Sequence, residues 1–227
     1  MHVGEGRETG GRGRAGSRGT QADRRARSRE ALLESAARGL SRFGYGNLVL
    51  EQVARDAGYT RGALYHQFKD KQDLTLAAME WVYATWTQEV GSHVERERDP
   101  AAALLVLARR HAVFCRRDIA RVAMALRLEF AEQDHPVGRE VEQGYEELLQ
   151  ICARLIEAGR EAGSIPAGPP VRTLALAFVG AIEGTVIALA GRVPYDEPLV
   201  AAAAAGVLGL DPRDAASSSS AEPGGER

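Results

Sequence analysis

Arg61, Tyr65, His66, Lys69 and Lys71 fall within one short stretch of a 227-residue chain, and their types suit contact with nucleic acid. A guanidinium or imidazole can read base edges, whereas ammonium and phenol groups hold phosphate oxygens. Gly62 and Ala63 between them are small enough to let a helix sit deep in a groove. Thr60, just ahead, carries a hydroxyl suited to capping a helix N-terminus. Arg61 and His66 are therefore predicted to reach bases, and Tyr65, Lys69 and Lys71 to hold phosphates; a core role beside Leu64 is the alternative for Tyr65. The chain has 29 basic residues, of which only Lys69 and Lys71 are lysines, and both flank this stretch.

Such residues need a scaffold, and LVLEQVARDAGYTRGALYHQFKDKQDL, Leu48 to Leu74, reads as one. Leu50, Val53, Ala54 and Ala57 recur at the i, i+3, i+4, i+7 spacing of one buried helix face. Gly58 stands where the chain must leave that helix, because glycine takes positive φ without a Cβ penalty. A second helix is predicted from Arg61 to about Gln67, pinned by Leu64 and Phe68 one turn apart. Asp70 then caps a further helix carrying Lys71, Leu74 and Ala77. Two short helices around a tight turn form a helix-turn-helix, whose second helix enters a DNA major groove.

The segment ARDAGYTRGALYHQFKDKQDL resembles the DNA-binding signature of TetR-family transcriptional regulators, whose usual form is an alanine-alanine-glycine turn, a glycine-centred recognition helix, then tyrosine, two variable residues, phenylalanine and lysine. Upstream, LLESAARGLSRFGYG (Leu32 to Gly46) resembles the family's first helix and its closing Gly44–Tyr45 pair. Leu48 and Val49 stand where the family often has two hydroxyl residues, so the second helix lacks a preferred cap, which typically costs about 1 kcal/mol. Leu40 replaces an aromatic. The resemblance implies an all-α protein, with a helix-turn-helix domain followed by a larger helical domain that binds an effector and dimerises. It also implies a homodimeric, ligand-released repressor on a palindromic double-stranded DNA operator. Alternatives are an activator or ligand-independent DNA-binding regulator and, further away, a helical enzyme or carrier containing the same three helices.

No H-E-x-x-H, P-loop or G-x-S-x-G occurs, so no catalytic residue is assigned and the chain is read as a non-enzyme. Gly11, Gly13 and Gly16 form a literal G-x-G-x-x-G without the strand that a dinucleotide site requires. His111 and Cys115 lie one turn apart, with Cys152 the only other thiol. Two spaced ligands are a weak metal set and free cysteine is commonly a small buried hydrophobe, so neither metal nor cofactor is assigned. Trp81, Tyr83, Trp86, Phe114, Met124, Leu128 and Phe130 are candidates for the wall of an apolar effector pocket of the kind helical bundles build. Arg127, Tyr145 and Glu183 are candidates for its polar groups, with His111 and Cys115 beside them. Glu183 has a second reading, as the partner of an arginine across a dimer interface.

The run TLALAFVGAIEGTVIALAG, from Thr173 to Gly191, is long enough to span a bilayer. Glu183 at its centre opposes insertion by about 2.5–3.5 kcal/mol, so a subunit-interface helix is the preferred reading and no membrane partner is expected. Ala177, Gly180, Ala181, Gly184 and Ala188 are the positions predicted to allow close approach of a twin helix. With 44% hydrophobic but only 6% aromatic residues, the composition favours close-packed helices. The net charge of −2 means that DNA affinity must come from local charge. Two cysteines make no disulfide framework, which suits a reducing cytoplasm, and no secretory signal is recognised.

The expected organisation is a disordered Arg/Gly-rich arm over 1–26, a DNA-binding domain over 27–75, an effector and dimerisation domain over 76–213, and a Ser-rich tail over 214–227. The arm, with seven arginines by Arg27 against three acids, is either a DNA-contacting extension or a passive tail. Helices are predicted over Ser28–Phe43, Asp70 to about Arg96, Ala101–Arg117, Ile119–Asp134, Val137–Gly163, Val171–Gly191 and Glu197–Leu208.

Overall fold

The computed structural model describes residues 20–189 and 192–211. Among these residues there are α-helices, one π-helical turn and no strand, the all-α architecture expected. Most of the N-terminal arm, the end of the Val171–Gly191 run and the Ser-rich tail lie outside the described residues. The first helix, α1 (Gln21–Phe43), starts seven positions before Ser28, so residues 21–26 are helical rather than part of a disordered arm. The reason is local: Thr20 Oγ1 accepts the Asp23 N–H while the Asp23 carboxylate accepts the Thr20 N–H, a complete capping box.

Helices α2 (Leu50–Asp56) and α3 (Arg61–Tyr65) pack with α1 around Leu32, Ala36, Leu40, Val53, Ala54, Leu64 and Phe68, all buried. Leu50 and Ala57 lie at the edge of this core, partly buried. The Ser35 hydroxyl donates to the Val53 carbonyl at 2.9 Å, a buried bond tying α1 to α2. Gly58 adopts φ +78° between α2 and α3, the left-handed turn anticipated from its type. Val49 precedes α2 without a side-chain cap, as its lack of a hydroxyl requires. The predicted recognition helix to about Gln67 is shorter, ending at Tyr65.

Helix α4 (Lys71–Trp86) continues through a π turn over Thr87–Gly91 into α5 (Ser92–Val94). Asp99 caps α6 (Pro100–Phe114), accepting the Ala101 and Ala102 N–H groups. The predicted Ile119–Asp134 helix is only α7 (Val122–Glu129), followed by a turn in which Glu132 takes φ +65°. Helix α8 (Pro136–Ala162) stops at Gly163 in the left-handed region. Helix α9 (Val171–Leu189) packs against α8, and α10 (Asp196–Leu208) against both α6 and α9. Arg116 locks α10 to the end of α6, donating to both Asp196 carboxylate oxygens at 2.7 and 2.8 Å and to Glu197 at 2.7 Å. That bidentate pairing permits a carboxylate only 3% exposed.

Candidate nucleic-acid interface and the cavity behind it

At the helix-turn-helix, the Ala63 N–H donates to Thr60 Oγ1 at 3.2 Å, so Thr60 caps α3 as its type predicts. Thr60, Arg61, Gly62, Tyr65, His66 and Lys69 are exposed, and Ala63 and Lys71 are half-buried. The Arg61 guanidinium pairs with Glu51 at 2.9 Å and lies 5.3 Å from the Tyr65 ring centroid. Tyr65 is 43% exposed, whereas Leu64 beneath it is fully buried, which removes the core alternative for the tyrosine.

Lys71 differs from its neighbours. Its Nζ donates to the Gly46 carbonyl at 2.9 Å and sits 4.7 Å from the Tyr45 ring centroid. Burial lowers its pKa, and nearby Glu129 opposes that shift. The ammonium is therefore engaged with the turn between α1 and α2, in a geometry that sequence spacing did not foretell.

The same turn is held from the larger domain. Glu129, the last residue of α7, accepts the Tyr45 N–H on Oε2 and the Gly46 N–H on Oε1, both at 2.6 Å. The Tyr45 ring meets Phe130 and His135 edge-on, at centroid distances of 5.3 and 5.2 Å. Phe130 thus belongs to this junction rather than to a pocket wall. Sequence reasoning missed Glu129 because nothing local links it to residues more than 80 positions away.

A cavity of about 160 Å³ lies behind this junction, between α4, α6, α7, α8 and α9. Trp86, His111, Phe114, Cys115, Met124, Arg127, Tyr145 and Glu183 all line it, and Tyr83 joins them. Trp81 and Leu128 are not among its lining residues; Leu128 is 72% exposed. Gly144 makes the Tyr83 position possible, since a Cβ there would fall 2.5 Å from the Tyr83 ring. The Tyr83 hydroxyl is buried without a hydrogen-bond partner among the described residues, and burial raises its pKa.

At one end of the cavity, Trp86 Nε1–H donates to His111 Nδ1 at 3.2 Å. The imidazole is consequently neutral with its proton on Nε2, which faces Cys115 Sγ at 3.4 Å and Glu183 Oε1 at 3.6 Å. Burial lowers the His111 pKa against the pull of Glu183, and burial pushes the Cys115 thiol up to about 12. A thiol so disfavoured as thiolate is a poor nucleophile and a poor metal ligand. Among the described residues, no three His, Cys, Asp or Glu side chains are grouped to hold a metal ion. Arg127 donates to Glu142 at 3.1 Å and its guanidinium lies 3.5 Å from the Tyr145 ring centroid.

On α9 the small residues predicted for close helix approach face outward. Ala177, Gly180, Gly184 and Ala188 are exposed and Ala181 is half-buried. A Cβ added at Gly180 or Gly184 would meet nothing within 4 Å. Leu176, Ile187 and Leu199 are also exposed, at 43, 61 and 47%. By length and composition α9 is long and apolar enough to cross a membrane, with a mean hydropathy of 1.6, but one side of it packs on α8 and α10.

Residues 32–78 match the family model of bacterial regulatory proteins of the tetR family. The fatty acid metabolism regulator protein of Bacillus subtilis (strain 168) is 19% identical over 155 residues, covering 68% of this chain and 79% of that one. SCO4454, a TetR-family transcriptional regulator from Streptomyces coelicolor, superposes with a TM-score of 0.67 at 21% identity, over 84% of this chain and 96% of that one. AibR, in complex with isovaleryl coenzyme A and operator DNA, superposes with a TM-score of 0.63 at 18% identity, over 82% and 98%. At such identities the structural likeness is one of fold, and the matched helix-turn-helix carries the assignment. Residues 32–78 thus carry a helix-turn-helix of the tetR-family type, and the described chain shares the all-α fold of the TetR-family regulators on which it superposes.

Proposed function

We propose that the protein is a ligand-released repressor that binds a palindromic operator as a homodimer. One observation carries the reading: α7 lines the cavity with Met124 and Arg127 and ends at Glu129, which holds the Tyr45–Gly46 turn of the DNA-binding domain. A ligand that displaces α7 therefore moves the base on which the recognition helix stands. In the relative AibR, isovaleryl coenzyme A and operator DNA are bound together in one complex, which supports a fold able to serve both partners. The protein acts in this reading as a cytoplasmic binding protein, not as an enzyme.

Arg61 and His66 are assigned to bases, and Tyr65, Lys69 and Lys71 to phosphates, with Thr60, Gly62 and Ala63 shaping the approach. The exposed stripe of α9 supplies the dimer contact, which sets two recognition helices about 34–36 Å apart, one turn of DNA. Ligand binding favours a state in which that spacing is lost. Fluorescence anisotropy of a labelled palindromic duplex at moderate salt tests the proposal. The full-length protein is expected to retain the palindrome in preference to a half-site, and a cavity ligand to release it. Equal retention of both duplexes, or retention insensitive to every ligand that binds the cavity, would refute it.

A further inference from the structure

We propose that the cavity selects a cationic amphiphile: a short apolar body, aliphatic or aromatic, bearing a protonated nitrogen that seats against Glu183. The inference rests on the reading of this cavity as the effector site and specifies the ligand's chemistry.

Glu183 lies in the cavity wall, its side chain 25% exposed. Among the described residues it pairs with no lysine or arginine, and it faces the neutral ring of His111 at 3.6 Å. A carboxylate partly withdrawn from water without a cation gains from a cationic partner. Among the described residues the arginine in the wall does not supply it, because Arg127 is bonded to Glu142 and stacked on Tyr145. A ligand cation supplies the missing charge.

The remaining wall reinforces this choice. Tyr83, Trp86, Phe114 and Tyr145 bring four aromatic rings to one cavity, and aromatic faces attract cations through their quadrupoles. The unpartnered Tyr83 hydroxyl offers an acceptor to an ammonium N–H. An anionic head would instead meet Glu183, with no free cation among the described residues of the wall to receive it. A hydroxyl head satisfies the hydrogen bonds but leaves the charge uncompensated. The selection is thus opposite in sign to that of a site built for a carboxylate or phosphate.

Isothermal titration calorimetry of the full-length protein with three probes sharing one apolar body tests the proposal: 4-phenylbutylamine, 4-phenylbutan-1-ol and 4-phenylbutyrate. The amine is expected to bind at least about tenfold tighter than the alcohol, and the carboxylate weakest. Glu183→Gln is expected to remove the advantage of the amine over the alcohol. Isovaleryl coenzyme A serves as a fourth, polyanionic probe. Equal or tighter binding of the carboxylate or the coenzyme A thioester, or no binding by any probe, overturns the inference on the unmodified protein alone, whatever the folding of the variant. The effector reading fails separately: an amine that binds through Glu183 yet leaves the DNA complex intact retains the ligand class and rejects ligand-controlled release.

Discussion

The Glu129 carboxylate accepts the Tyr45 backbone N–H at 2.6 Å, joining the end of α7 to the turn that closes α1. Its other oxygen takes the Gly46 N–H, and Lys71 takes the Gly46 carbonyl. One turn of backbone is thereby shared between the cavity domain and the DNA-binding domain. Because α7 also contributes Met124 and Arg127 to the cavity wall, a displacement at the ligand has a short mechanical route to the recognition helix.

Replacing Glu129 by Ala removes two charge-assisted bonds and leaves Tyr45 N–H half-buried without its acceptor. Each such bond contributes about 1.5–3 kcal/mol, with the lower figure appropriate near solvent. A measurable fall in melting temperature is expected. Cavity ligands are expected to bind Glu129→Ala as before while the DNA complex loses its response to them. Anisotropy and calorimetry on the same variant check this, and an unaltered ligand response removes Glu129 from the coupling.

Lys69 is exposed, whereas Lys71 is committed to Gly46 and Tyr45. Lys69→Ala should lower the slope of log affinity against log salt by about 1 and weaken all sequences alike. Lys71→Ala should do the same and also reduce the melting temperature, since it breaks an internal bond. Arg61→Ala should instead relax base preference at one position, at a cost of about 1–3 kcal/mol in discrimination. Binding isotherms at four salt concentrations on matched and mismatched duplexes separate these outcomes.

The exposed Gly180–Gly184 stripe makes the dimer testable without DNA. Sedimentation of the wild-type protein at micromolar concentration is expected to show a dimer. Gly184→Leu adds a side chain where the monomer has open space, so it should fold normally, dissociate, and lose palindrome binding at a distance. A monomeric wild-type protein that still holds the full palindrome tightly would exclude the arrangement.

His111 links stability to pH. Its folded pKa lies below the ordinary value of 6.5 because burial disfavours the imidazolium. Between the two values the unfolded chain binds more protons than the folded one, so stability falls as pH drops below about 6.5 and is recovered above it. Urea unfolding at pH 7.5 and 5.5 should show lower stability at the acid value, and His111→Gln should shrink the difference. An unchanged difference would assign the acid sensitivity to other groups, though not to Asp196. Its carboxyl is held below the usual range by Arg116, so that its contribution is lost only as pH falls through that lowered value.

The DNA-binding half was legible in the sequence because its signals are local. Gly58 must turn, Thr60 must cap, and Leu64 and Phe68 one turn apart must face inward; each follows from residue type and spacing within a few positions. The capping box that starts α1 at Gln21 was equally local but sat inside an arginine-rich stretch with no apolar period. Helical periodicity also marked the aromatic and polar residues that line the cavity, and the small residues on the open face of α9.

Tertiary structure alone decided what those residues meet. Tyr83 enters the cavity because Gly144, on another helix, leaves room for its ring. Phe130 leaves the cavity for Tyr45, and Arg127 gives its charge to Glu142. Glu183 is left facing a neutral imidazole, and Glu129 finds backbone donors across more than 80 positions. Hydrogen bonds and ion pairs of this kind depend on how helices are laid side by side, and that placement is a property of the packed core as a whole rather than of any one segment's periodicity.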